Sequence, residues 1–426
     1  MTSHTVELKE WQSTFLKGVE LPDNESRDTA EKLKEQGIIE VVELKDGISI
    51  SSNSYVGRIK IGNMQINVMP KIKGMPLYQL LRYAYGLREL KFFNTAEHAL
   101  DDFSFFDLLI FELYVEAEDL LHRGIQKSYT QISENLASPR GKLNIEKICA
   151  VGGIIKEKLP CTYFNRDINN ILNKILLAGL KLALKLVLDE GLRIKLRRLC
   201  GELEENIADV TLTRGNLALA KSSINRLTGR YYPILEIINI LYESQGIQLE
   251  GPASSLNLRG YFFDMNAFFE TLVGKLLKNC RREYLIKDQF SLYDMFIYTP
   301  GFNPLRRKSP TPRPDFALMK NGKVVKLLDA KYRDLWEQSL PREMLYQLGI
   351  YAASGIGDKT ATILYPTIND IPSIQKIDIN NPISTAKLAS IILKPINLKK
   401  VAELLSRREN ELVEYVDELL VEQLKV

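Results

Sequence analysis

The chain has 426 residues, of which 45% are hydrophobic and 26% are charged. These proportions are ordinary for folded globular domains, and the length is sufficient for two or three of them. The formal net charge is only +4, which excludes a strongly basic protein and requires any contact surface for nucleic acid to be local.

The number and spacing of the cysteines and histidines argue against two further kinds of protein. The four cysteines form no CxxC pair, and the three histidines lie far apart. We therefore expect neither a structural zinc site nor a disulfide scaffold. The first residues, MTSHTVELKEW, lack the layout of a signal peptide, and lysines interrupt the most apolar segment, residues 171–192. These features favour a cytoplasmic protein without a membrane-spanning helix.

The N-terminal part has the pattern of β-strands. Apolar residues alternate over residues 59–68, and Gly62-Asn63 fits the turn of a β-hairpin. Residues 37–73 as a whole are rich in such segments. We predict a β-rich interaction region over residues 1–95.

Helical periodicity dominates residues 96–250. Apolar residues recur there at spacings of three and four, and the longest helix is expected over residues 168–189. Pro139 and Gly141 interrupt the pattern and indicate a loop or a turn into a strand. We predict a mainly helical region that ends near Gly251.

The last part, residues 251–426, alternates between helical and strand patterns. We predict there a mixed sheet flanked by helices, so the whole chain is expected to be a multidomain α+β and α/β protein. The predicted elements are helices over residues 265–280, 341–353 and 398–425, and strands over residues 316–319, 324–331 and 361–365.

Asp315, Asp329 and Lys331 are the most informative group of residues. Asp315 follows a proline at the start of one strand, whereas Asp329 and Lys331 lie two apart on the next strand and leave it on the same face. Two carboxylates that meet there can bind Mg²⁺, or alternatively Mn²⁺. An ammonium group beside them can offset charge on a phosphate. A surface ion pair on an edge strand is the alternative interpretation.

The register of the two strands is a difficulty for a metal site. A two-residue turn at Asn321-Gly322 pairs Asp315 with Leu328, so that Asp315 and Asp329 face opposite sides of the sheet. The site therefore requires a β-bulge, an odd-length loop or a kink at the preceding proline.

Two helices carry further polar residues of suitable chemistry. Glu270 lies at the border of the apolar face of the helix over residues 265–280 and can supply a third acid. Gln347 and Tyr351 share a helical face because they lie four residues apart. Gln347 can bond a phosphate or a metal-bound water, and Tyr351 beside it is a candidate for contact with DNA. An ordinary surface or boundary position is the alternative for each.

A basic, proline-rich segment directly precedes Asp315. Its charged side chains can contact DNA phosphates, although a solvated loop is equally consistent with the sequence. The chain has no GxxxxGK[ST] motif, so we expect no P-loop nucleotide hydrolysis of its own. The basic residues are Arg306, Arg307, Lys308 and Arg313.

The order of these motifs resembles the RecB-like branch of the PD-(D/E)xK nucleases. More narrowly, the chain is similar to the McrC family, the nuclease component of McrBC modified-cytosine restriction systems. The segments that carry this similarity are VGRIKIGNMQINVMPKI, HRGIQKSYTQISENLASPRGKL and DMNAFFETLVGKLL, followed by Pro314-Asp315, Asp329-Ala330-Lys331 and Gln347-Leu-Gly-Ile-Tyr351.

The resemblance implies a magnesium-dependent endonuclease that cleaves methylcytosine-containing double-stranded DNA. It implies a McrB-like AAA-type GTPase hexamer as partner, whose GTP hydrolysis the N-terminal half stimulates. It also implies Asp315 and Asp329 as metal ligands, Lys331 as the catalytic lysine, and Glu270 and Gln347 as supporting residues. Two alternatives remain open: a stand-alone RecB-like repair nuclease, and a non-catalytic activator of a ring NTPase.

Overall fold

The described residues form two compact units. One unit combines Met1–Phe105 with Ser244–Val426, and the other comprises Phe106–Glu243. The first and last parts predicted from the sequence thus belong to one unit, whereas the predicted boundary at Gly251 lies outside the described residues. The computed structural model describes residues 4–87, 104–150, 157–244, 260–280, 284–407 and 409–420.

Twelve helices occur within the described ranges. None of the helices in this part of the chain is both long and apolar enough to cross a membrane. They are α1 (Asn24–Glu35), α2 (Gly74–Tyr85), α3 (Phe105–Arg123), α4 (Ile145–Ala150), α5 (Ile171–Leu186), α6 (Glu190–Glu204), α7 (Arg214–Ser222), α8 (Tyr231–Glu243), α9 (Met265–Cys280), α10 (Arg342–Ala353), α11 (Leu398–Arg407) and α12 (Glu409–Leu420).

The described strands belong to four sheets. They are β1 (His4–Lys9), β2 (Ser13–Lys17), β3 (Ile39–Leu44), β4 (Gly47–Ser52), β5 (Tyr55–Ile61), β6 (Met64–Met69), β7 (Ser128–Leu136), β8 (Lys142–Leu143), β9 (Leu159–Asp167), β10 (Gly260–Asp264), β11 (Leu285–Asp288), β12 (Phe316–Lys320), β13 (Lys323–Ala330), β14 (Thr360–Thr367), β15 (Gln375–Asn380) and β16 (Lys387–Asn397).

Two small sheets surround an apolar core in the N-terminal part. One has the strand order β1-β6-β5-β10, and the other has the order β2-β4-β3. The predicted hairpin is present: Ile61 pairs with Met64, and Gly62 adopts the left-handed backbone (φ 57°) that such a turn requires. The side chains of Ile59 and Ile66, from the two strands of this hairpin, are 2% and 0% exposed in that core.

Strand β10 ties the beginning of the chain to its C-terminal part. It pairs antiparallel with β5, and α9 follows directly after it. Gly57 on β5 allows this close approach, because a Cβ there would lie 1.9 Å from the carbonyl oxygen of Tyr261. The N-terminal sheet therefore fixes the start of the helix that carries Glu270.

The second unit contains helices and a three-stranded sheet of order β7-β9-β8. The helical prediction missed β7 and β9, because β7 is largely exposed and shows no apolar alternation. The long helix predicted over residues 168–189 ends at Leu186. The side chain of Asp189 then accepts a hydrogen bond from the backbone N–H of Leu192 (2.6 Å) and caps α6.

The largest sheet has six strands in the order β11-β12-β13-β14-β16-β15. Strands β13, β14 and β16 run parallel, and the other pairs are antiparallel, so the sheet is mixed. Ala317, Leu327 and Ile363 pack on α10 through one face. Phe316 points to the other face, where its ring lies against Gly274 of α9.

The C-terminal tail forms two helices rather than the one predicted over residues 398–425, and residues 421–426 lie outside the described residues. Two lysines of the large sheet bind the end of α12. The ammonium group of Lys394 donates to the carbonyl of Leu419 (2.8 Å), and that of Lys326 to the carbonyl of Leu420 (2.9 Å). Cations are favourable at a helix C-terminus, so α12 is anchored on the sheet.

Candidate metal centre

A β-bulge brings the two aspartates into register. Asn321 and Gly322 form the predicted turn with left-handed backbones (φ 52° and 77°). Further along the hairpin, the pairing shifts by one residue, so Leu318 pairs with Lys326 and Phe316 with Leu328. Extending this register by one position places Asp315 opposite Asp329. A bulge, one of the three solutions expected from the sequence, is the one present.

The carboxylates and the lysine lie close together at the end of the hairpin. The ammonium nitrogen of Lys331 is 3.0 Å from Oδ2 of Asp329 and 3.9 Å from Oδ2 of Asp315. The backbone N–H of Ala330 donates to Oδ2 of Asp315 (2.9 Å). Oδ1 of Asp329 is buried and has no hydrogen-bond partner among the described residues.

Burial changes the acid–base properties of this group. Burial, followed by the negative charge of Asp315, raises the pKa of Asp329 to about 7. Burial also disfavours the charged form of Lys331, but the carboxylates of Asp329 and Asp315 outweigh it and raise the pKa of Lys331 above its ordinary value. The buried carboxylates thus favour the charged form of Lys331, whereas burial and Asp315 disfavour the charged form of Asp329.

Gln289 links the helix acid to the strand acid. Its side-chain nitrogen donates to Oε1 of Glu270 (2.7 Å) and lies 3.3 Å from Oδ1 of Asp315. Its backbone N–H donates to the carbonyl of Asp315 (2.7 Å). Gln289 adopts a left-handed backbone (φ 49°), an unfavourable conformation for a residue other than glycine. Burial, and then Asp315, raise the pKa of Glu270.

Gln347 and Tyr351, which the sequence placed on one face of a helix, are hydrogen-bonded to each other. The side chain of Gln347 donates to the hydroxyl of Tyr351 (2.7 Å). Tyr351 is only 3% exposed and belongs to the core between α10 and the sheet. This burial does not favour the direct DNA contact predicted for Tyr351, and its hydroxyl instead holds Gln347.

The predicted basic residues are exposed, as a DNA contact requires. All four belong to the connection between β11 and β12, which returns to the sheet at Asp315. Within the described residues, no hydrogen bond or ion pair joins these four side chains to the carboxylates, so a role at the phosphates of DNA remains a prediction.

The backbone after Lys331 is attached to the N-terminal sheet region. The indole N–H of Trp11 donates to the carbonyl of Tyr332 (3.0 Å), and the hydroxyl of Tyr332 donates to Oε1 of Glu10 (3.3 Å). Glu10 is 1% exposed, and burial raises its pKa to about 8.

The donor set fits Mg²⁺. Within the described ranges, no three Asp, Glu, His or Cys side chains form a cluster ready to hold an ion. Mg²⁺ commonly takes only one or two protein carboxylates and keeps waters in its other positions. Asp315 and Asp329 supply two carboxylates, and the buried Oδ1 of Asp329 lacks a partner among the described residues. Zinc, which prefers Cys and His, has no comparable set in this part of the chain.

Gln289 is the one residue of this group that the sequence did not reveal. A glutamine at the end of a short strand carries no chemical signature of its own. Only the pairing of Asp288 with Phe316 places the next residue, Gln289, beside Asp315.

Comparison with known proteins identifies the family. The family model described as "McrBC 5-methylcytosine restriction system component" matches residues 50–366. The search of curated proteins found no match.

Two solved structures from Thermococcus gammatolerans are similar in fold. One chain comes from a half-complex of a tetradecameric assembly of McrB AAA+ hexamers with bound McrC; it has a TM-score of 0.63 and 17% identity, with 97% of this chain and 99% of that chain covered. Another comes from the McrBC complex. It has a TM-score of 0.48 and 17% identity, with 65% of this chain and 88% of that chain covered.

The family match covers most of the chain and includes the whole Asp315–Lys331 hairpin. The resemblance inferred from the sequence is therefore confirmed at the level of the family. This chain belongs to the family of McrBC 5-methylcytosine restriction system components.

Proposed function

We propose that this chain is the DNA-cleaving subunit of a McrBC-type restriction system, and that its six-stranded sheet is a PD-(D/E)xK nuclease core. The observation that carries the proposal is the bulged hairpin, which sets Asp315 opposite Asp329 with Lys331 at 3.0 Å from the latter. The substrate is methylcytosine-containing duplex DNA, and the reaction is hydrolysis of its phosphodiester bonds.

Burial of the acids supports a functional role rather than a structural one. Asp329 is 1% exposed and Asp315 is 8% exposed. A buried carboxylate with an unpaired oxygen costs free energy, since it has lost water without gaining a full set of partners. An ordinary surface ion pair, the alternative interpretation, does not require this burial.

Each residue has a distinct task in this proposal. Asp315 and Asp329 would hold Mg²⁺, which when bound lowers the pKa of a ligated water and offsets phosphate charge. Lys331 is positioned to donate a charge-assisted hydrogen bond to a phosphate oxygen or to the attacking water. Gln289 bridges Glu270 and Asp315 through its side-chain nitrogen, and Gln347 is oriented by Tyr351.

The partner follows from the family and from the likeness in fold. The solved chain that matches this one over almost its entire length was determined with McrB AAA+ hexamers. We therefore assign a McrB-like AAA-type GTPase hexamer as the partner of this chain, and GTP hydrolysis by that ring as the reaction that accompanies cleavage.

A cleavage assay tests this proposal. Plasmid DNA with and without 5-methylcytosine is incubated with Mg²⁺ and the chain, either alone or together with a McrB-like GTPase and GTP. Double-strand breaks are expected only with the GTPase and only in methylated DNA, and Asp329→Ala should abolish them while partner binding is retained.

The other outcomes distinguish the alternatives. Cleavage by the chain alone would identify a stand-alone nuclease. Stimulated GTP hydrolysis without cleavage of either DNA would identify a non-catalytic activator. Cleavage by Asp329→Ala at the wild-type rate would remove the proposed centre.

A further inference from the structure

The connection between β11 and β12 is an arm that starts at the candidate metal centre. Its two ends are joined by backbone hydrogen bonds: Gln289 to Asp315 (2.7 Å), Phe290 to Pro314 (3.1 Å) and Leu292 to Pro312 (2.9 Å). Leu292 is 4% exposed and belongs to the core of the large sheet. The base of the arm, residues 289–292 and 312–315, is therefore fixed on the sheet.

The tip of the arm, residues 299–308, is closed by its own hydrogen bonds. The side-chain oxygen of Asn303 accepts from the backbone N–H of Arg307 (2.9 Å), and its nitrogen donates to the carbonyl of Arg307 (2.8 Å). The N–H of Arg306 donates to the carbonyl of Asn303 (3.0 Å), and Arg306 has a left-handed backbone (φ 49°). These bonds give the tip a defined shape.

This shape presents apolar side chains to solvent. Phe302 is 78% exposed and Leu305 is 70% exposed. A loop that only connects two strands has no need of large, exposed apolar side chains, which water must solvate. We call Phe302 and Leu305 the apolar tip.

The charge of the arm indicates which kind of partner the apolar tip contacts. Residues 295–314 contain three arginines and one lysine but no acidic residue. Three of these four cations, Arg306, Arg307 and Lys308, follow Leu305 immediately and are exposed. Phosphates surround every base step of DNA, so a nucleic acid satisfies both the cations and the apolar side chains.

We propose that the apolar tip, Phe302 and Leu305, inserts between base pairs of duplex DNA while Arg306, Arg307 and Lys308 bind the flanking phosphates. The inference rests on the proposed function and adds to it the manner in which the duplex is engaged. Apolar wedges of this kind unstack a base step and kink the duplex.

The length of the arm limits where the wedge acts. Leu305 and Asp315 are ten residues apart in the sequence, so they are separated by at most about 36 Å of extended chain. With a rise of about 3.4 Å per base pair, the distorted step lies within about one helical turn of the cleaved bond.

Fluorescence of 2-aminopurine measures this insertion without cleavage. The full chain, with and without the GTPase ring, is titrated into methylated duplexes that carry 2-aminopurine at successive positions, with Ca²⁺ in place of Mg²⁺. Wild-type protein is expected to raise the fluorescence at one or two adjacent positions. The Phe302→Ala/Leu305→Ala variant should lose this rise and bind on the order of tenfold more weakly.

Two further variants complete the comparison. The Arg306→Ala/Arg307→Ala variant should bind DNA more weakly. The slope of its affinity against salt concentration should fall by the amount expected for the loss of about two phosphate contacts. Ile383→Ala, which truncates an equally exposed apolar residue (93%) in the turn between β15 and β16, should behave as wild type.

Three results would overturn the inference. They are an absent fluorescence rise with the wild-type chain, an unchanged rise with the apolar-tip variant, and normal DNA binding by that variant together with weaker binding to the ring or to a second copy. Asp329→Asn separates this inference from the proposed function, because it should abolish cleavage but retain the fluorescence rise.

Discussion

The ammonium nitrogen of Lys331 lies 3.0 Å from Oδ2 of Asp329, while Oδ1 of the same carboxylate has no hydrogen-bond partner among the described residues. One oxygen of Asp329 is thus paired with a cation of the chain, and the other is the oxygen that we propose for Mg²⁺. Asp315, opposite Asp329 in the extended register, supplies the second carboxylate.

Removal of the Lys331 ammonium group should slow DNA cleavage. Lys331→Ala is expected to reduce the rate by about 10²–10³-fold, because a preorganised positive donor at the phosphate is lost. The rate is measured in single-turnover cleavage with the GTPase present. Lys323→Ala removes an exposed lysine at the start of β13, the strand that ends just before Lys331, and this variant should cleave normally. Equal loss in both variants would contradict a specific role for Lys331.

Mg²⁺ should stabilise the protein through Asp329. Ligand binding to the native state raises the free energy of unfolding, by about 2.7 kcal/mol when the ligand concentration is 100 times its Kd. Differential scanning calorimetry should therefore show a higher Tm for wild type in Mg²⁺ than in EDTA, and no such difference for Asp329→Asn. Asp28→Asn, at an exposed position of α1, serves as control and should respond as wild type does.

Loss of the Gln289 amide should weaken metal binding. In Gln289→Gly, Glu270 and Asp315 no longer share a hydrogen-bond donor, so the repulsion between the two carboxylates is no longer offset. The Mg²⁺ concentration that gives half-maximal cleavage should therefore rise several-fold. Glycine accepts the left-handed backbone at this position, φ 49°, so the substitution adds no backbone strain. An unchanged Mg²⁺ dependence would argue against the bridging role of Gln289.

Gly357 should be essential to the β-bulge. A Cβ at Gly357 would lie 2.2 Å from the carbonyl oxygen of Val325, the residue left unpaired in the bulge, and its backbone is left-handed (φ 64°). Gly357→Ala is expected to lower the free energy of unfolding by about 2 kcal/mol or more and to impair cleavage by shifting Asp329. Urea denaturation checks the first effect.

Gly355→Ala is the matched control for the bulge. Gly355 also has a left-handed backbone (φ 72°), but a Cβ there meets nothing within 4 Å. It should show only the backbone cost of about 1–2 kcal/mol and retain cleavage. Equal effects of the two substitutions would exclude a specific contact between Gly357 and the bulge.

Glu10 should make the stability of the protein depend on pH. Burial raises its pKa from 4.5 to about 8 in the folded state. The folded protein therefore holds this proton more tightly than the unfolded chain, and the associated stability is present below pH 4.5 and is lost as the pH rises through 8. Glu10→Gln cannot ionise, so its free energy of unfolding should exceed that of wild type increasingly between pH 5 and pH 9. Glu7→Gln, at an exposed position of β1, the strand that ends just before Glu10, should leave the pH profile unchanged.

The sequence by itself determined the elements whose patterns are local. The hairpin at Gly62, the helix over residues 265–280 and the turn at Asn321-Gly322 follow from apolar periodicity and glycine placement, and all are present. Asp329 and Lys331 were also identifiable as candidates, since their spacing of two residues is a property of neighbouring positions. The motif order was sufficient to indicate the family.

The tertiary structure decided which side chains meet. Strand register depends on contacts between distant residues, and the bulge at Val325 is accommodated by Gly357, which lies beyond the next helix. The same long-range pairing placed Gln289 beside Asp315. Neither contact has a local signature, because its free energy comes from packing that exists only once the sheet has formed. Strand β7 was missed for a different reason: it is largely exposed, so its sequence shows no clear apolar alternation.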